Sequence, residues 1–261
     1  MSASKELVES LANKLATAER TREAIPPLTQ EHPELTQDDA YAIQLVNVNR
    51  LLAQGAQISG KKIGLTSPGM QKLLGVNEPD YGHLFTFMDC ACEVKADELI
   101  QPKIEAEIAF ILGEDMPERE VTAQDVLAAT EFVCVAFEIV DSRVADWKIK
   151  LADTISDNAS SGRYVLGSNR VSPAGIDLTT VTMLTQQEGK GTVSEGVGSA
   201  VMGDPAVSVA WLINCLRRYG VSLKKGEVVL SGAFAAALPA SKGNVFTATF
   251  STLGSVTARF V

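Results

Sequence analysis

The chain has few of the features that mark secreted and membrane proteins. Its four cysteines in 261 residues are too few for a disulfide scaffold of this length, so free thiols in a reducing cytoplasm are expected. Residues 1–7 lack the apolar core of a signal peptide, and no uninterrupted apolar run approaches the ~20 residues that span a bilayer. We therefore expect a cytoplasmic protein with no membrane partner.

Positive charge is also scarce. Lys and Arg together number 23 against 32 Asp and Glu, which gives a formal net charge of −9. Because no basic stripe or arginine-rich block is present, nucleic acid is not expected as a partner. A hydrophobic content of 46% with 21% charged residues is typical of a globular protein, and the length allows one sizeable core.

Helices are predicted first. Residues 4–24 have an amphipathic pattern, and a second helix begins at Thr36, with Asp39 forming a partial capping box, and continues to about Gly55. Further on, helices are predicted over roughly 123–131 and 205–219, the latter opened by a proline at its first position.

Short apolar strands dominate the chain from Gly60 onward. They are predicted at 61–65, 104–112, 132–140, 163–167, 179–186, 226–231, 244–250 and 254–260. Strands outnumber helices too far for a doubly wound sheet. We therefore predict an α+β fold with a mixed, rolled β-sheet and N-terminal and peripheral helices. Residues 1–58 would form a helical cap and 59–261 a catalytic domain, together one structural unit.

Two glutamates lie one residue apart in a segment that should be dry. Glu105 and Glu107 belong to the apolar run 104–112, which is typical of a buried strand, so both side chains point to the same face. Like charges in such a setting raise each other's pKa or bind a cation between them. Hard divalent cations prefer oxygen ligands of this kind. An edge strand with both carboxylates in solvent is the simpler interpretation of the pair alone.

A third acid favours the metal site over an exposed edge strand. Glu138 lies in the apolar run 132–140, again a carboxylate in a buried type of strand. If the two strands pair, Glu105, Glu107 and Glu138 can converge on one Mg²⁺ or Mn²⁺ ion. Such a site leaves open positions for a chelating substrate and water.

Three other segments could serve such a site. Lys62 enters an apolar strand and is either a surface residue or an acid/base group beside the metal. The segment 78–82 is typical of a turn, which would place Asp80 at the mouth of the site as a proton carrier. The polar stretch 153–162 predicts a loop that either presents hydroxyl and N–H groups to a carboxylate or forms a simple turn.

These segments, taken in order, resemble a known family. The matching blocks are Lys62-Ile63-Gly64-Leu65-Thr66-Ser67, Pro79-Asp80-Tyr81-Gly82, Pro102-Lys103-Ile104-Glu105-Ala106-Glu107-Ile108-Ala109, Phe137-Glu138-Ile139-Val140-Asp141-Ser142-Arg143 and Asp157-Asn158-Ala159-Ser160. They resemble the 2-hydroxypentadienoate (2-keto-4-pentenoate) hydratases and their sister 4-oxalocrotonate decarboxylases, within the fumarylacetoacetate hydrolase superfamily. The resemblance extends from the N-terminal helices to residues 253–260.

The resemblance implies a function and roles for individual residues. The metal, Mg²⁺ or Mn²⁺, would be bound by the three glutamates, and Lys62 and Asp80 would carry out the proton transfers. Ser160, Leu65 and Arg143 would bind the substrate, a small 2-oxo or 2-hydroxy dienoate. Proteins of this kind are homo-oligomers in the meta-cleavage breakdown of aromatic compounds, so self-association is expected, as is a complex with neighbouring pathway enzymes.

Three segments favour hydration over decarboxylation within this family. They are Asp146-Trp147-Lys148-Ile149-Lys150, the acid-containing stretch 75–82, and residues 229–234. We therefore expect water to be added to 2-hydroxypenta-2,4-dienoate, giving 4-hydroxy-2-oxopentanoate, with 4-oxalocrotonate decarboxylation as the alternative. Residues 235–239 depart from the proline-bearing hydratase loop. This leaves the distal end of the substrate open, so a hydroxyhexadienoate or a heptenedioate is a longer alternative.

Two further classes are less favoured. Hydrolases of the fumarylacetoacetase type use a His–Glu pair to activate water. The sequence contains only His32 and His83, for which a surface role and a structural role, respectively, are the simpler interpretations. A non-catalytic binding protein on the same fold would be indicated by loss of a metal-ligand glutamate, and all three are present.

Overall fold

The computed structural model describes residues 3–74, 76 and 78–261. Gly75 and Asn77, which belong to the stretch 75–82 that favoured a hydratase, lie outside the described residues. The acids of that stretch, Glu78 and Asp80, lie within them.

The described residues form seven α-helices. Their bounds are α1 Lys5–Thr21, α2 Leu28–Glu31, α3 Gln37–Ala53, α4 Pro68–Leu74, α5 Ala123–Ala129, α6 Leu151–Ser156 and α7 Pro205–Arg217. The capping box predicted at α3 is present, because Thr36 and Asp39 exchange side-chain to backbone hydrogen bonds. At α7 the Asp204 carboxylate accepts a hydrogen bond from the Ala206 N–H, and Pro205 opens the helix as predicted.

The same residues form twelve strands. Their bounds are β1 Ile58–Gly64, β2 Asp80–Phe85, β3 Glu93–Val94, β4 Lys103–Leu112, β5 Thr130–Val140, β6 Ser161–Leu166, β7 Thr182–Gln187, β8 Gly191–Val197, β9 Val228–Leu230, β10 Leu238–Pro239, β11 Val245–Phe250 and β12 Gly254–Phe260. Each of the eight predicted strands overlaps one of these. Strands β2, β3, β8 and β10 lie outside the predicted segments.

The strands are arranged in two sheets. The larger sheet has the order β2-β1-β9-β4-β5-β6, with β10 paired to the start of β4. The smaller has the order β3-β12-β11-β7-β8. Most neighbours are antiparallel, but β1 pairs with β9, and β12 with β3, in parallel. The predicted mixed, rolled α+β architecture is therefore confirmed.

The main core lies on one face of the larger sheet. Alternate residues of β4 and β5, such as Ile108, Phe110 and Phe137, belong to the same buried cluster as Phe246 and Phe250 of the smaller sheet. The residues between them on β4 and β5, such as Ala109 and Ala136, belong to a second, smaller cluster. Since side chains alternate along a strand, the second cluster marks the opposite face of the sheet. The candidate site lies on that face.

The N-terminal helices have a small core of their own. Leu11 and Leu15 of α1, Leu28 of α2 and Ile43 of α3 are buried together. Helix α3 also packs against α6, whose backbone accepts a hydrogen bond from the Gln44 side chain at Ile155 O, 2.8 Å. The division of the chain into a cap and a catalytic domain near residue 58 stays a prediction.

Among the described residues, the segment Gly198–Arg217 is long and apolar enough to cross a membrane, by length and composition alone. Over half of its apolar window, 56%, is buried inside the fold. Helix α7 makes up most of this segment, and Val209, Leu212 and Leu216 lie in the main core. Buried core helices pass the same test, so the segment is weak evidence for a membrane span.

Candidate metal and substrate site

Strand register brings the predicted site residues to one face of the larger sheet. Glu105 on β4 lies directly opposite Glu138 on β5. On the side of β4 away from β5, Lys62 of β1 pairs with Leu230 of β9, and Leu230 pairs with Ala109 of β4. Directly paired residues share a face, as do residues two apart on a strand. Lys62 therefore lies on the same face as all three glutamates.

The three glutamates converge as predicted. Each of Glu105, Glu107 and Glu138 offers a carboxylate oxygen within 4.8 Å of those of the other two. Glu107 and Glu138 are fully buried, whereas Glu105 is partly exposed. The Gly232 N–H, in the loop after β9, donates to Glu107 Oε2 at 2.8 Å.

Lys62 is in direct contact with this cluster. Its Nζ lies 3.0 Å from Glu138 Oε1, and both side chains are almost completely buried. Burial by itself would lower the pKa of Lys62, but the carboxylates of Glu138 and Asp80 outweigh it and raise that pKa above its usual value. Lys62 is thus an ammonium group held at the edge of the glutamate cluster.

Asp80 differs from its prediction in two ways. It begins strand β2 rather than lying in a turn, and it is 1% exposed, so it lies in the interior of the site and not at its mouth. The Thr154 hydroxyl donates to Asp80 Oδ2 at 3.3 Å. A Cβ at Gly64, its partner in the β1–β2 register, would lie only 2.2 Å from Asp80 Oδ1. The glycine therefore makes room for the carboxylate beside Lys62.

The electrostatics of the cluster favour a bound cation. Burial and then the neighbouring Glu138 carboxylate raise the pKa of Glu105 to about 7, and the same two causes raise the pKa of Glu107 well above its usual value. Burial also raises the pKa of Glu138, although Lys62 opposes this. Glu107 Oε1 and Glu138 Oε2 have no hydrogen-bond partner among the described residues, and Glu138 Oε1 has the ion pair with Lys62. Three converging carboxylates, two of them with an unpartnered oxygen, fit a hard divalent cation such as Mg²⁺.

These pKa shifts predict a pH-dependent response to metal. The pKa values of Glu105 and Glu107 are higher in the folded protein than in the unfolded chain, whose value is about 4.5. Without metal, these two groups therefore favour folding most below about pH 4.5. Their contribution to the free energy of unfolding is lost as pH rises through 7. Mg²⁺ binds the ionised groups. The Mg²⁺-induced rise in melting temperature should therefore be larger at about pH 8 than at about pH 5.5. Thermal unfolding with and without Mg²⁺ at the two pH values measures this, and an equal or smaller rise at the higher pH would contradict it.

A cavity of about 560 Å³ opens above the glutamates. Its polar part is formed by Lys62, Asp80, Glu105 and Thr154. The remaining wall is largely apolar, from Val140, Trp147, Ile149 and the loop 233–237. This arrangement, called the site cavity below, has a charged floor and an apolar side, as expected for a small organic acid.

Leu65 and Ser160 both line the site cavity. Leu65 follows β1 with a φ of +59°, and Ser160 ends a turn in which residues 158, 159 and 160 all have positive φ. Such backbone is costly for residues other than glycine and often marks functional sites. The stretch 153–162 is therefore not the single loop predicted: it contains the end of α6, a tight turn over Asn158–Ser160 and the start of β6.

Arg143 is not brought into the site cavity, contrary to its predicted role in substrate binding. Its guanidinium is 5% exposed and forms an ion pair with Asp157. It also donates to the backbone oxygens of Asp141 and Ser161, at 2.6 and 3.0 Å. Because the Ser160 N–H donates to Asp157 O at 2.9 Å, Arg143 supports the turn that carries Ser160. With every donor group so engaged, it is a structural residue.

Some cavity residues were not singled out from the sequence. Thr154, beside Asp80, lines the cavity, and Gly232 donates to Glu107 from outside the lining. Both lie in stretches considered in the sequence, 153–162 and 229–234, but neither residue was identified individually. Lys103 also lines the cavity, and its place two residues before Glu105 was an available signal. His83 lies outside the cavity lining and pairs with Gln44 Oε1 at 3.0 Å. Burial, followed by the charge of Lys61, lowers the pKa of His83 to about 3, which supports its structural interpretation.

Comparison with known proteins agrees with this site. The C-terminal family model of fumarylacetoacetate (FAA) hydrolase matches residues 91–261. A 2-hydroxyhexa-2,4-dienoate hydratase from Comamonas testosteroni is 44% identical, over 98% of both chains. A 2-keto-4-pentenoate hydratase from Paraburkholderia xenovorans (strain LB400) is also 44% identical, over 97% of this chain and 94% of the relative.

Among solved structures, 4-oxalocrotonate decarboxylase from Pseudomonas putida G7, complexed with magnesium and adipate, is similar over the whole chain. It superimposes with a TM-score of 0.94 at 35% identity, covering 100% of this chain and 99% of that one. The same decarboxylase has also been solved with calcium and acetate. Together with the matched family model and the full-length relatives, this shows that the chain belongs to the fumarylacetoacetate hydrolase family, in the branch of the 2-keto-4-pentenoate hydratases and 4-oxalocrotonate decarboxylases.

Proposed function

We propose that this protein is a Mg²⁺-dependent hydratase that adds water to 2-hydroxypenta-2,4-dienoate, or a close homologue, to give 4-hydroxy-2-oxopentanoate. The observation that carries the proposal is the convergence of Glu105, Glu107 and Glu138 beside Lys62 in one cavity. Mn²⁺ is the alternative metal, since its ligand preferences are similar. A cytoplasmic homo-oligomer working with neighbouring enzymes of aromatic breakdown fits the same proposal.

The relatives favour hydration over decarboxylation. Hydratases from several bacteria are 41–45% identical to this chain, whereas the decarboxylase with the similar structure is 35% identical. Trp147, whose segment favoured a hydratase in the sequence, lines the cavity. Decarboxylation of 4-oxalocrotonate remains the second candidate because the backbones of the two proteins are so similar.

The metal supplies one part of the chemistry. When bound by the three glutamates, Mg²⁺ acts as a Lewis acid that favours negative charge on the C2 oxygen of a 2-oxo acid. Glu107 is held in place by the Gly232 N–H, and Glu105 and Glu138 are fixed opposite each other by the strand register. This hydrogen bond and the strand register would hold the three glutamates in position during the reaction.

Lys62 and Asp80 carry the protons in this proposal. Hydration requires a proton at C5 and loss of the proton of the C2 hydroxyl, which gives the α,β-unsaturated 2-oxo acid. The oxygen of water then adds at C4 with loss of one water proton, and C3 gains a proton. Lys62 is protonated at neutral pH, because nearby carboxylates raise its pKa, so it can donate. Burial raises the pKa of Asp80, while Lys62 opposes that shift, which suits Asp80 to receive a proton and return it.

The substrate carboxylate would be bound at the other side of the cavity. We assign this role to Ser160 and Leu65, which both line the cavity and both have positive φ values. The apolar loop 233–237 would contact the distal carbons. The cavity volume of about 560 Å³ leaves room for the longer hydroxyhexadienoate and heptenedioate alternatives.

The two candidate reactions are separated by substrate choice. With Mg²⁺ present, we expect the ultraviolet absorbance of 2-hydroxypenta-2,4-dienoate to fall as its conjugation is lost, and 4-hydroxy-2-oxopentanoate to accumulate. With 2-oxohex-3-enedioate, we expect no release of carbon dioxide. Carbon dioxide from the second substrate without consumption of the first would replace the hydratase proposal with the decarboxylase. No reaction with either would favour a non-catalytic binding protein.

A further inference from the structure

A second cavity of about 550 Å³ adjoins the site cavity and is called the outer groove here. It is lined by residues 96–97 and 99–103, by Trp147 and by 239–242. Lys103 and Trp147 line both cavities, so they form a shared wall. Nothing in the proposed reaction uses this wall or the groove behind it.

Lys103 stands at the outer end of the row of site residues on β4. Lys103, Glu105 and Glu107 alternate along the strand and face the same way, each about 6.6 Å from the next. Exposure falls along this row, from the partly exposed Lys103 and Glu105 to the fully buried Glu107. The row therefore leads from the rim of the cavity to its floor, with the ammonium group at the rim.

Trp147 holds that ammonium in place. Lys103 Nζ lies 4.2 Å from the centroid of the Trp147 ring, within the range of a cation–π contact. The ring is itself oriented, because its Nε1–H donates to Gln101 O at 3.1 Å. A cation–π contact at a partly exposed site is weak, so an incoming anion can draw the ammonium away from the ring.

The balance of charges around the cavity indicates a role for the Lys103 ammonium group. Within the part of the chain that the structure describes, four acids, Asp80 and the three glutamates, share one buried cation, Lys62. A bound divalent cation would still leave the ionised group one unit negative, while the substrate is an anion. Lys103 would bring this total to neutrality, and it lies on the wall that the site cavity shares with the outer groove. Asp97 and Lys242 also line the outer groove.

We propose that the outer groove is the entrance to the site and that Lys103 binds the carboxylate of the incoming substrate at the rim. The inference rests on the proposed function, because it takes the substrate to be a small anionic 2-oxo or 2-hydroxy acid. Charges of this kind at a cleft raise the local concentration of an oppositely charged ligand and its association rate.

The binding part can be tested without turnover. Trp147 and Trp211 are the two tryptophans of the chain, so a Trp211→Phe background makes the emission specific to Trp147. In this background, titration with 2-oxopentanoate in the presence of Mg²⁺ should change the emission. Lys103→Met should weaken the apparent affinity about tenfold, and Lys103→Arg should retain most of it. Lys148→Met is the matched control, since Lys148 is next to Trp147 but is exposed and paired with Asp146.

Kinetics then separate this inference from the proposed function. Lys103→Met should lower kcat/KM for the dienoate about tenfold with kcat nearly unchanged. In the unaltered enzyme kcat/KM should fall as the salt concentration rises, and the substitution should remove most of this salt dependence. The Mg²⁺-induced shift in melting temperature should persist. Unchanged analogue affinity and unchanged kcat/KM in Lys103→Met, with an active unaltered enzyme, would overturn the role of Lys103. An inactive unaltered enzyme would instead overturn the proposed function.

The route is tested by filling the outer groove. Ser241 is exposed and lines it, so Ser241→Trp should lower kcat/KM several-fold while leaving the Mg²⁺ response intact. Ser172→Trp, at an exposed position outside both cavities, is the control. Equal kcat/KM values for these two variants would show that the substrate enters elsewhere.

Discussion

Glu107→Gln should abolish the stabilisation of the protein by Mg²⁺. A ligand at a concentration of 100 times its Kd stabilises a fold by about 2.7 kcal/mol, which for a chain of this size is a rise of roughly 5–10 °C in melting temperature. The substitution keeps the shape of the side chain, and its amide oxygen can still accept the hydrogen bond from the Gly232 N–H. It removes only the charge. Turnover of the dienoate should fall by about 10³-fold or more, because the stabilisation of charge at C2 is lost.

The metal-free form gives this prediction a second readout. Burial and the two neighbouring glutamates raise the pKa of Glu107, so the carboxylate destabilises the metal-free fold at neutral pH. Glu107→Gln should therefore be at least as stable as the unaltered protein without Mg²⁺ at about pH 8. Glu131→Gln, on the same strand as Glu138 but exposed, should leave both measurements unchanged. A normal Mg²⁺ shift in Glu107→Gln would remove Glu107 from the metal site.

Lys62→Met should slow turnover by about 10²-fold or more while leaving the response to Mg²⁺ in place. This is the usual cost of losing a positioned general acid or base. Measurements should be made at saturating Mg²⁺, because without metal the substitution leaves Glu138 and Asp80 buried without their cation, which is destabilising. Steady-state kinetics and thermal unfolding of the same preparation provide the two readouts.

Lys61→Met is the matched control for this experiment. Lys61 is the preceding residue of β1 and is also buried, at 3% exposed, but alternation places it on the opposite face of the sheet, paired with His83 and Val229. Its substitution should leave turnover close to normal. A near-normal rate in Lys62→Met would exclude Lys62 from proton transfer, whereas loss of the Mg²⁺ response would show that its main role is to hold the glutamates.

Much of the site could be predicted because it depends on strand periodicity. The two-residue spacing of Glu105 and Glu107 in an apolar run determines that they share a face, and the structure shows this. Glu138 required one further assumption, that its strand pairs with theirs, which the register confirms. The capping box of α3 is equally local, since Thr36 and Asp39 lie within one turn.

The parts that sequence reasoning missed depend on contacts between distant segments. Strand β2 looked like a turn because it begins after Pro79 and contains Gly82. In the structure that glycine allows a close approach, since a Cβ there would lie 2.3 Å from Asn158 O. The family resemblance implied that Arg143 binds the substrate, but Asp157, fourteen residues further on, takes up its charge. Neither contact has a local sequence signal.

Because Glu105 and Glu138 face each other across β4 and β5, the metal site can form only in the native register of these two strands. A slip of one residue between β4 and β5 would turn one set of carboxylates toward the main core and bring apolar side chains to the cavity. No ligand set could then form, and ionised carboxylates would meet Ile108 and Phe137 in a dry interior. Metal affinity therefore reports whether the antiparallel strand pair β4–β5 has folded in its native register. A metal ion present during refolding would selectively stabilise the molecules that have done so.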